Sequence, residues 1–427
     1  MSNHSLRREL GLIGAVMMGM GSIVGTGVFV SIGIAAGIAG PAVILAVMIG
    51  AGVALCNGLS SAQLAANHPV SGGTYEYGYR YLRPWLGFTA GWMFLLAKSA
   101  SAATAALGFG GYLLAALGVH NRVALILSAL AAVAVLTAIA AWGMRRSNRA
   151  NMVIVSLTLA ALIFFILAGL PRIDPANFTP FFGGAAGTAD TPLPDLLYAA
   201  ALMFVAYTGY GRIATLGEEV RDPRRIIPRA IITTLVLTMA LYAGVAVVGV
   251  GAAGADAMSQ ATLADAAPLA VIARGFTIPG AATILAVGAI TAMLGVLLNL
   301  ILGLSRVLLA MGRRGDMPAA TAQIDAATST PRNAVVIMGV VIAALVLVGN
   351  VKLTWSFSAF TVLIYYALTN LAALQLAPDA RLYPRWIAWL GLAVCLFLAF
   401  WVETWIWVVG LGLIGIGLLV RQIINGK

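Results

Sequence analysis

Residues 19 to 27 read G-M-G-S-I-V-G-T-G, near the middle of the first long apolar stretch of the chain. Four of these nine residues are glycine, at positions 19, 21, 25 and 27. Each glycine weakens a helix by roughly 1 kcal/mol relative to alanine. The stretch therefore predicts a helix that is either interrupted or packed very closely at its centre.

The composition indicates the class of protein around this stretch. Of 427 residues, 61% are hydrophobic and 9% are charged, whereas a soluble domain carries about 25% charged residues. Apolar stretches of about 20 residues, each long enough to cross a bilayer as a helix, recur along the chain. We predict an all-α integral membrane protein, with one polytopic membrane domain over residues 1–427 and no soluble domain between the spans.

The apolar stretches predict twelve spans. They run over 10–35, 41–65, 85–116, 122–143, 150–170, 194–217, 229–251, 277–311, 333–349, 353–374, 386–402 and 404–422. The last two are short, and the polar break between them is weak, so an eleven-span count with a reversed C-terminus stays open.

The distribution of basic residues predicts the orientation. With the N-terminus inside, most lysines and arginines fall at cytoplasmic ends of spans, and the outer ends carry Arg122, Arg172, Arg274 and Lys352. This agrees with the positive-inside rule. We therefore expect a multi-pass protein of the plasma or inner cell membrane, in contact with lipid, with both termini cytoplasmic. The net charge of +11 is scattered over short loops and does not indicate nucleic-acid binding.

The residues that carry most enzyme chemistry are sparse. Cys56 and Cys395 fall within predicted spans, and His4, His68 and His120 fall in a tail or in loops. We identify no nucleophile–histidine pair and no metal-ligand cluster in the spans, and no nucleotide-binding P-loop. The sequence thus predicts a protein that is not an enzyme and uses no cofactor.

A helix interrupted within a membrane needs a physical reason. Non-helical backbone survives at membrane depth only where it lines a protein cavity or water. If the first span unwinds at its glycines, the amides of Gly25, Thr26 and Gly27 become free to bind an anion at the start of the following half-helix. The alternative is close helix packing, which small residues four apart, such as Gly21 and Gly25, favour.

A second stretch favours the interrupted helix. Residues 204 to 211, in span six, read F-V-A-Y-T-G-Y-G and are again polar and glycine-bearing near mid-membrane. Spans one to five and six to ten then form two repeats of inverted topology, over 10–170 and 194–374, with accessory spans over 386–422. Interrupted helices at matching positions of inverted repeats indicate a transporter binding site.

Four motifs in sequence order resemble those of one family. They are G-S-I-V-G-T-G-V-F at 21–29, P-V-S-G-G-T-Y at 69–75, E-E-V-R-D-P-R-R-I-I-P-R-A-I at 218–231 and S-R-V-L-L-A-M-G-R-R-G-D-M-P at 305–318. Together they resemble the amino acid–polyamine–organocation (APC) transporter superfamily. The resemblance implies the LeuT-type fold, with two inverted five-helix repeats plus two C-terminal helices. It also implies alternating-access transport of amino acids or related amines.

The resemblance also implies a substrate site between spans one and six. The substrate carboxylate would meet the amides of the first break, its ammonium would meet carbonyls of both breaks, and an aromatic ring from span six would cover it. The implied set is Ile23, Gly25, Thr26, Gly27, Ala206, Tyr207, Thr208, Gly209 and Tyr210. For the two tyrosines, ordinary interhelical packing is the alternative.

Three further residues are candidates for coupling or gating. Lys98 lies deep in span three, where burial favours the neutral form of a lysine, so it is a candidate proton site or a fixed substitute for sodium. Its alternative role is structural hydrogen bonding. Many relatives instead carry a lysine in span five. This chain has Thr158 at that position, and the absence of the lysine leaves a sodium site open. Arg212 follows the second break and is a candidate inner-gate partner of Glu219, or part of a structural ion pair.

The charges indicate the substrate class. No acidic group is predicted in the pocket, which favours a neutral zwitterionic amino acid carried with protons or by exchange. Acidic amino acids are an alternative because of Lys98 and Arg212, and amines or polyamines are another because carbonyls and aromatic faces also hold cations. A non-transporting membrane receptor or scaffold on the same fold is the alternative from a different class. The sequence does not predict an oligomeric state.

Overall fold

Seventeen α-helices make up most of the described chain, and no β-strand occurs in it. The computed structural model describes residues 11–68, 72–143, 148–183, 192–214, 220–325 and 330–425. In chain order the helices are α1 (Leu12–Ile23), α2 (Ile32–Ala39), α3 (Val43–Asn67), α4 (Thr74–Tyr81), α5 (Pro84–Ala116), α6 (Arg122–Ala141), α7 (Asn148–Gly169), α8 (Pro192–Tyr207), α9 (Gly211–Ala214), α10 (Pro223–Ala253), α11 (Ala255–Asp265), α12 (Pro268–Ala273), α13 (Ala281–Arg313), α14 (Arg332–Val346), α15 (Val351–Leu374), α16 (Arg385–Ala399) and α17 (Thr404–Asn425).

The apolar helices account for the spans predicted from the sequence. By length and composition, 9 helical runs of the described chain can cross a membrane. Three shorter apolar helices, α1, α14 and α16, lie where the sequence predicts the remaining segments. The first predicted span consists of α1, a π-helical turn over Gly27–Ser31 and α2. The sixth consists of α8, a 3₁₀ turn over Thr208–Tyr210 and α9.

Local sequence signals explain where several helices begin. Asn121 precedes α6, and its side-chain oxygen accepts hydrogen bonds from the amides of Val123 and Ala124. Asn350 accepts from the amide of Leu353 in the same way at the start of α15. Capping of this kind satisfies amides that a helix end leaves without partners. Proline occupies the first position of α5, α10 and α12, where its missing N–H costs nothing.

Three connections between predicted spans contain helix that the sequence analysis did not predict. Residues 223–228, which the sequence analysis leaves between spans six and seven, belong to α10, because Pro223 occupies the first position of the helix. The connection after span seven contains two short helices, α11 and α12. The connection between spans two and three contains α4. α4, α11 and α12 were missed because they are short and do not form long apolar runs.

The centre of the bundle is formed by the interrupted spans together with α5, α13 and α15. α5 packs along both α13 and α15, and α3 packs against α8 and α10. α5 and α15 are largely buried, whereas α6, α7 and α17 are mostly exposed within the molecule and lie at its periphery. The exposed apolar side chains of the peripheral helices are those expected to face lipid.

Candidate functional site

The first span is interrupted where its glycines predict. α1 ends at Ile23, Val24 takes an extended conformation with ψ 101°, and the helix resumes in the π-helical turn that follows Thr26. The amides of Gly25, Thr26 and Gly27 donate to no backbone acceptor of the described chain. The Thr26 hydroxyl is also buried without a hydrogen-bond partner in that part of the chain. The break therefore presents several unpaired donors together.

The second interruption tightens the helix without unwinding it. Tyr207 and Gly211, on either side of the 3₁₀ turn, keep right-handed helical dihedrals. The carbonyl of Thr208 accepts a hydrogen bond from the Tyr366 hydroxyl at 3.2 Å. The Thr208 hydroxyl donates to the carbonyl of Val205 at 2.8 Å. This turn is therefore held by both its own helix and α15.

The two interruptions lie directly against each other. A Cβ placed on Gly27 would lie 2.6 Å from Cβ of Ala206, and one placed on Gly209 would overlap the carbonyl of Ser22. The Tyr242 hydroxyl of α10 donates to the carbonyl of Ile23 at 2.8 Å and lies 3.4 Å from that of Ala206. Glycine is needed here because the two backbones approach too closely for side chains.

A cavity of about 350 Å³ lies beside both interruptions. Of the residues predicted for the site, it is lined by Ile23, Thr26, Gly27, Ala206, Thr208, Gly209, Lys98 and Arg212. Its volume falls in the range of small-molecule sites. At one end of the bundle the cavity reaches residues of the 72–77 segment and Arg313. We call this the α4 end.

The remaining predicted residues lie elsewhere. Tyr207 is buried beside Tyr242, with ring centroids 5.1 Å apart, and its hydroxyl donates to the carbonyl of Val47 at 3.3 Å. Tyr210 packs on Tyr366 with ring centroids 5.4 Å apart. Neither tyrosine lines the cavity, and neither does Gly25. Both rings thus occupy the packing positions that the sequence left as an alternative.

The coupling candidates have different surroundings. Lys98 lines the cavity and is buried, and its ammonium donates to the Thr208 hydroxyl at 2.7 Å. Thr158 is buried in α7, where its hydroxyl donates to the carbonyl of Ile154, and it does not line the cavity. Arg212 lines the cavity, but Glu219, its expected partner, lies outside the described residues.

Several lining residues were not predicted from the sequence. α15 contributes Trp355, Tyr365 and Tyr366, and α13 contributes Asn299 and Arg306. The indole of Trp355 donates to the carbonyl of Leu202, which fixes its ring against α8. These side chains lie in apolar helices whose sequence does not show which face meets the cavity. The helix packing alone identifies them.

The arrangement has the chemistry to hold a small molecule that carries a carboxylate and an apolar group. Unpaired amides and a hydroxyl supply donors for a carboxylate at one interruption. Aromatic and aliphatic side chains, including Phe94, Val205 and Trp355, supply an apolar wall. Such a combination of apolar lining and a few placed polar groups is typical of small-molecule sites.

Sequence comparison identifies the family of this chain. Residues 14–426 match the amino acid permease family. The chain belongs to that family. The permease is an all-α membrane protein of LeuT-type fold, as the sequence predicts, and its membership of the APC superfamily is confirmed.

Three proteins with sequences similar to this chain are named as transporters or permeases. An uncharacterized transporter of Mycobacterium tuberculosis is 40% identical to the permease over 427 residues, covering 99% of this chain and 93% of the relative. A branched-chain amino acid permease of Bacillus subtilis is 29% identical over 348 residues, covering 77% of this chain and 72% of the relative. A methylthioribose transporter of the same species is 28% identical over 361 residues, covering 80% and 75%.

Proposed function

We propose that the permease is a secondary active transporter that moves neutral zwitterionic amino acids by alternating access. The observation that supports this most is the set of unpaired donors at the first interruption, which includes the buried Thr26 hydroxyl on the cavity wall. These donors suit a carboxylate, which every amino acid carries. The apolar wall suits a neutral side chain, in keeping with a relative named for branched-chain amino acids.

The repeats and the orientation complete the proposal. Residues 10–170 and 194–374 are the two inverted repeats, and residues 386–422 are the accessory spans. The protein lies in the cell membrane with the α4 end and both termini on the cytoplasmic side, because the basic residues of the sequence concentrate on that side. The cavity therefore opens inwards in this conformation.

Lys98 is the proposed coupling group. Its ammonium donates to Thr208 in the second interruption, so loss of its proton weakens a contact that holds this turn. Proton binding and the position of span six are thus linked through one hydrogen bond. Exchange of one amino acid for another, without a coupling ion, is the alternative mode.

Acidic amino acids are the second candidate substrates. Lys98, Arg212, Arg306 and Arg313 all line the cavity, whereas no Asp or Glu of the described chain does. An excess of basic side chains around the cavity favours binding of an anionic substrate there and disfavours binding of a cationic one. The same feature disfavours polyamines, lysine and arginine as substrates.

Uptake by proteoliposomes tests these statements. Labelled leucine, glutamate and arginine are offered with and without a proton gradient, and we expect saturable uptake of leucine that the gradient increases. The Lys98→Ala variant should lose this dependence on pH. The matched control is Lys352→Ala, a half-buried lysine that pairs with Glu403 and does not line the cavity, and it should keep the dependence. Uptake by Lys98→Ala with unchanged pH dependence would refute the coupling role of Lys98.

A further inference from the structure

The turn that follows α13 points two charged side chains at α4. Gly315 has φ +83°, which favours glycine, and the amide of Asp316 donates to the carbonyl of Met311 at 2.9 Å. The chain thereby reverses after the last turn of α13. Arg314 and Asp316, on either side of this glycine, both reach α4.

Asp316 joins three separate elements. Its carboxylate oxygen Oδ2 accepts hydrogen bonds from the hydroxyls of Tyr75 at 2.8 Å and Tyr79 at 2.5 Å, both in α4. The other oxygen, Oδ1, accepts from Nε of Arg421, in the last turns of α17, at 3.1 Å. The residue is 2% exposed. Hydrogen bonds to an ionised partner are the strong class.

Arg314 reinforces the same contact from the other side. It pairs with Glu76 of α4 at 2.5 Å, and its guanidinium lies 4.1 Å from the centroid of the Tyr79 ring. Burial acts to lower the pKa of Arg314, but the hydrogen bond and charge of Glu76, together with Tyr75 and Tyr79, raise the pKa overall. Burial and the hydrogen bond to Asp316 raise the pKa of Tyr79 to about 12, so its hydroxyl remains a donor.

The other end of α4 is attached to a cavity helix. The amide of Thr74 donates to the Tyr365 hydroxyl at 3.3 Å, and the hydroxyls of Thr74 and Thr369 lie 2.7 Å apart. Gly73, Thr74 and Tyr77 line the cavity. α4 therefore lies at the α4 end of the cavity. Its first residue is hydrogen-bonded to α15, and Tyr75 and Tyr79 are hydrogen-bonded to Asp316.

We propose that Asp316 is a positioning residue that holds α4 against α13 and α17 and thereby keeps the α4 end of the cavity open in this conformation. The proposal rests on the alternating-access function proposed above. Closing this end by a movement of α4 away from the end of α13 or from α17 would break hydrogen bonds that involve the Asp316 carboxylate. Asp316, Tyr75, Tyr79 and Arg421 then set how often the cavity opens at this end.

The involvement of α17 supports a role beyond holding the fold. α17 lies at the periphery, with 17% of its most apolar stretch buried. An apolar helix of this length does not need a charged contact of this kind to insert into a bilayer. A buried ion pair is also weak evidence for stability, because desolvating both charges offsets much of their attraction. A contact of this type is better explained by control of geometry.

Thiol labelling inside the cavity tests the proposal without any substrate. The parent protein carries Gly303→Cys together with Cys56→Ser and Cys395→Ser. Gly303 lines the cavity, and a Cβ at this position meets no atom within 4 Å. The rate at which a methanethiosulfonate reagent labels position 303 is measured in purified protein in detergent. Asp316→Asn should slow this rate about five- to tenfold, because hydrogen bonds to a charged group favour the open form.

Two further variants make the test decisive. Tyr79→Phe keeps the shape of the ring and removes one hydrogen bond, so it should slow labelling to a smaller degree. Asp379→Asn, an exposed aspartate of the 3₁₀ turn Pro378–Ala380, is the matched control and should not change the rate. Folding of each variant is checked by its melting temperature.

The outcomes separate this proposal from the transport function. Unchanged or faster labelling in a folded Asp316→Asn protein would overturn the positioning role. If Asp316→Asn does not fold, Tyr79→Phe decides alone, and unchanged labelling in that variant overturns the proposal. Slower labelling in a protein that transports no amino acid would support the role of Asp316 and refute the proposed substrate.

Discussion

The two interrupted spans break in different ways. In the first, Val24 leaves helical geometry altogether and the three following amides lose their backbone partners. In the second, the helix tightens into a 3₁₀ turn whose flanking residues stay helical. The first break therefore supplies free hydrogen-bond donors, whereas the second supplies a turn fixed by Lys98 and Tyr366.

The difference assigns the two breaks different tasks. Free amides next to a new helix start are suited to hold an anion, so the proposed function assigns recognition of the carboxylate to span one. A tight turn bonded to α5 and α15 is suited to transmit a change in charge or position. The proposed transport function thus places substrate binding and coupling in two segments that touch each other.

The largest effect is expected from Gly209→Ala, which tests whether the two breaks must touch. The added Cβ would overlap the carbonyl of Ser22 and lie 2.7 Å from the side chain of Ile23. Because both neighbours are held in the core, we expect a loss of stability of about 1–3 kcal/mol and abolished transport. The melting temperature and uptake in proteoliposomes measure these effects.

Gly52→Ala is the control for this variant, because a Cβ there meets no atom within 4 Å. It should be neutral or slightly stabilising, as expected for alanine in a helix. Normal uptake by Gly209→Ala would show that the contact between the breaks is dispensable.

A smaller effect on transport is expected from Thr208→Val, which removes the hydroxyl that joins the second break to Lys98. The ammonium of Lys98 loses its hydroxyl partner, and leaving a buried polar group unpaired costs about 1–3 kcal/mol. We expect a lower melting temperature and a shifted pH dependence of uptake, with binding of amino acid largely retained.

Thr262→Val is the control for Thr208→Val. The Thr262 hydroxyl is buried and donates to the carbonyl of Met258 in its own helix. This variant should not shift the pH profile. An equal shift in both variants would contradict the special role of the Lys98–Thr208 contact.

The smallest effect is expected from Tyr242→Phe, which removes the hydroxyl shared by both breaks. It deletes the bond to the Ile23 carbonyl, which is worth about 1 kcal/mol. We expect a small drop in melting temperature and a moderate loss of amino acid affinity. Tyr77→Phe, which removes a buried hydroxyl without a partner in the described chain, should not lower stability.

The sequence predicted the elements that rest on long-range hydropathy and on glycine. The membrane helices follow from apolar runs of sufficient length, and the first break follows from Gly25 and Gly27. The position of Lys98 at the cavity also agrees with the rule that charges at membrane depth face the protein interior. These features depend on residues close together in the sequence, on the length of an apolar run or on the depth of a charge within it, so they can be inferred without a structure.

Features that depend on packing between distant segments were not predictable. Tyr207 and Tyr210 lie next to the second break, but the turn directs both rings into interhelical contacts. Trp355 lines the cavity because of how α15 packs. The cluster around Asp316 joins segments 241 and 105 residues apart in sequence, so no local pattern indicates it.

Equilibrium binding tests the central claim, that the first break holds the carboxylate of an amino acid. The ligands are the neutral amino acid that is taken up best and the amino alcohol with the same side chain, which keeps the amine but lacks the carboxylate. Purified protein should bind the alcohol at least about tenfold more weakly, a difference of about 1.4 kcal/mol, and Thr26→Val should narrow this gap. Equal affinity for both ligands would contradict the claim.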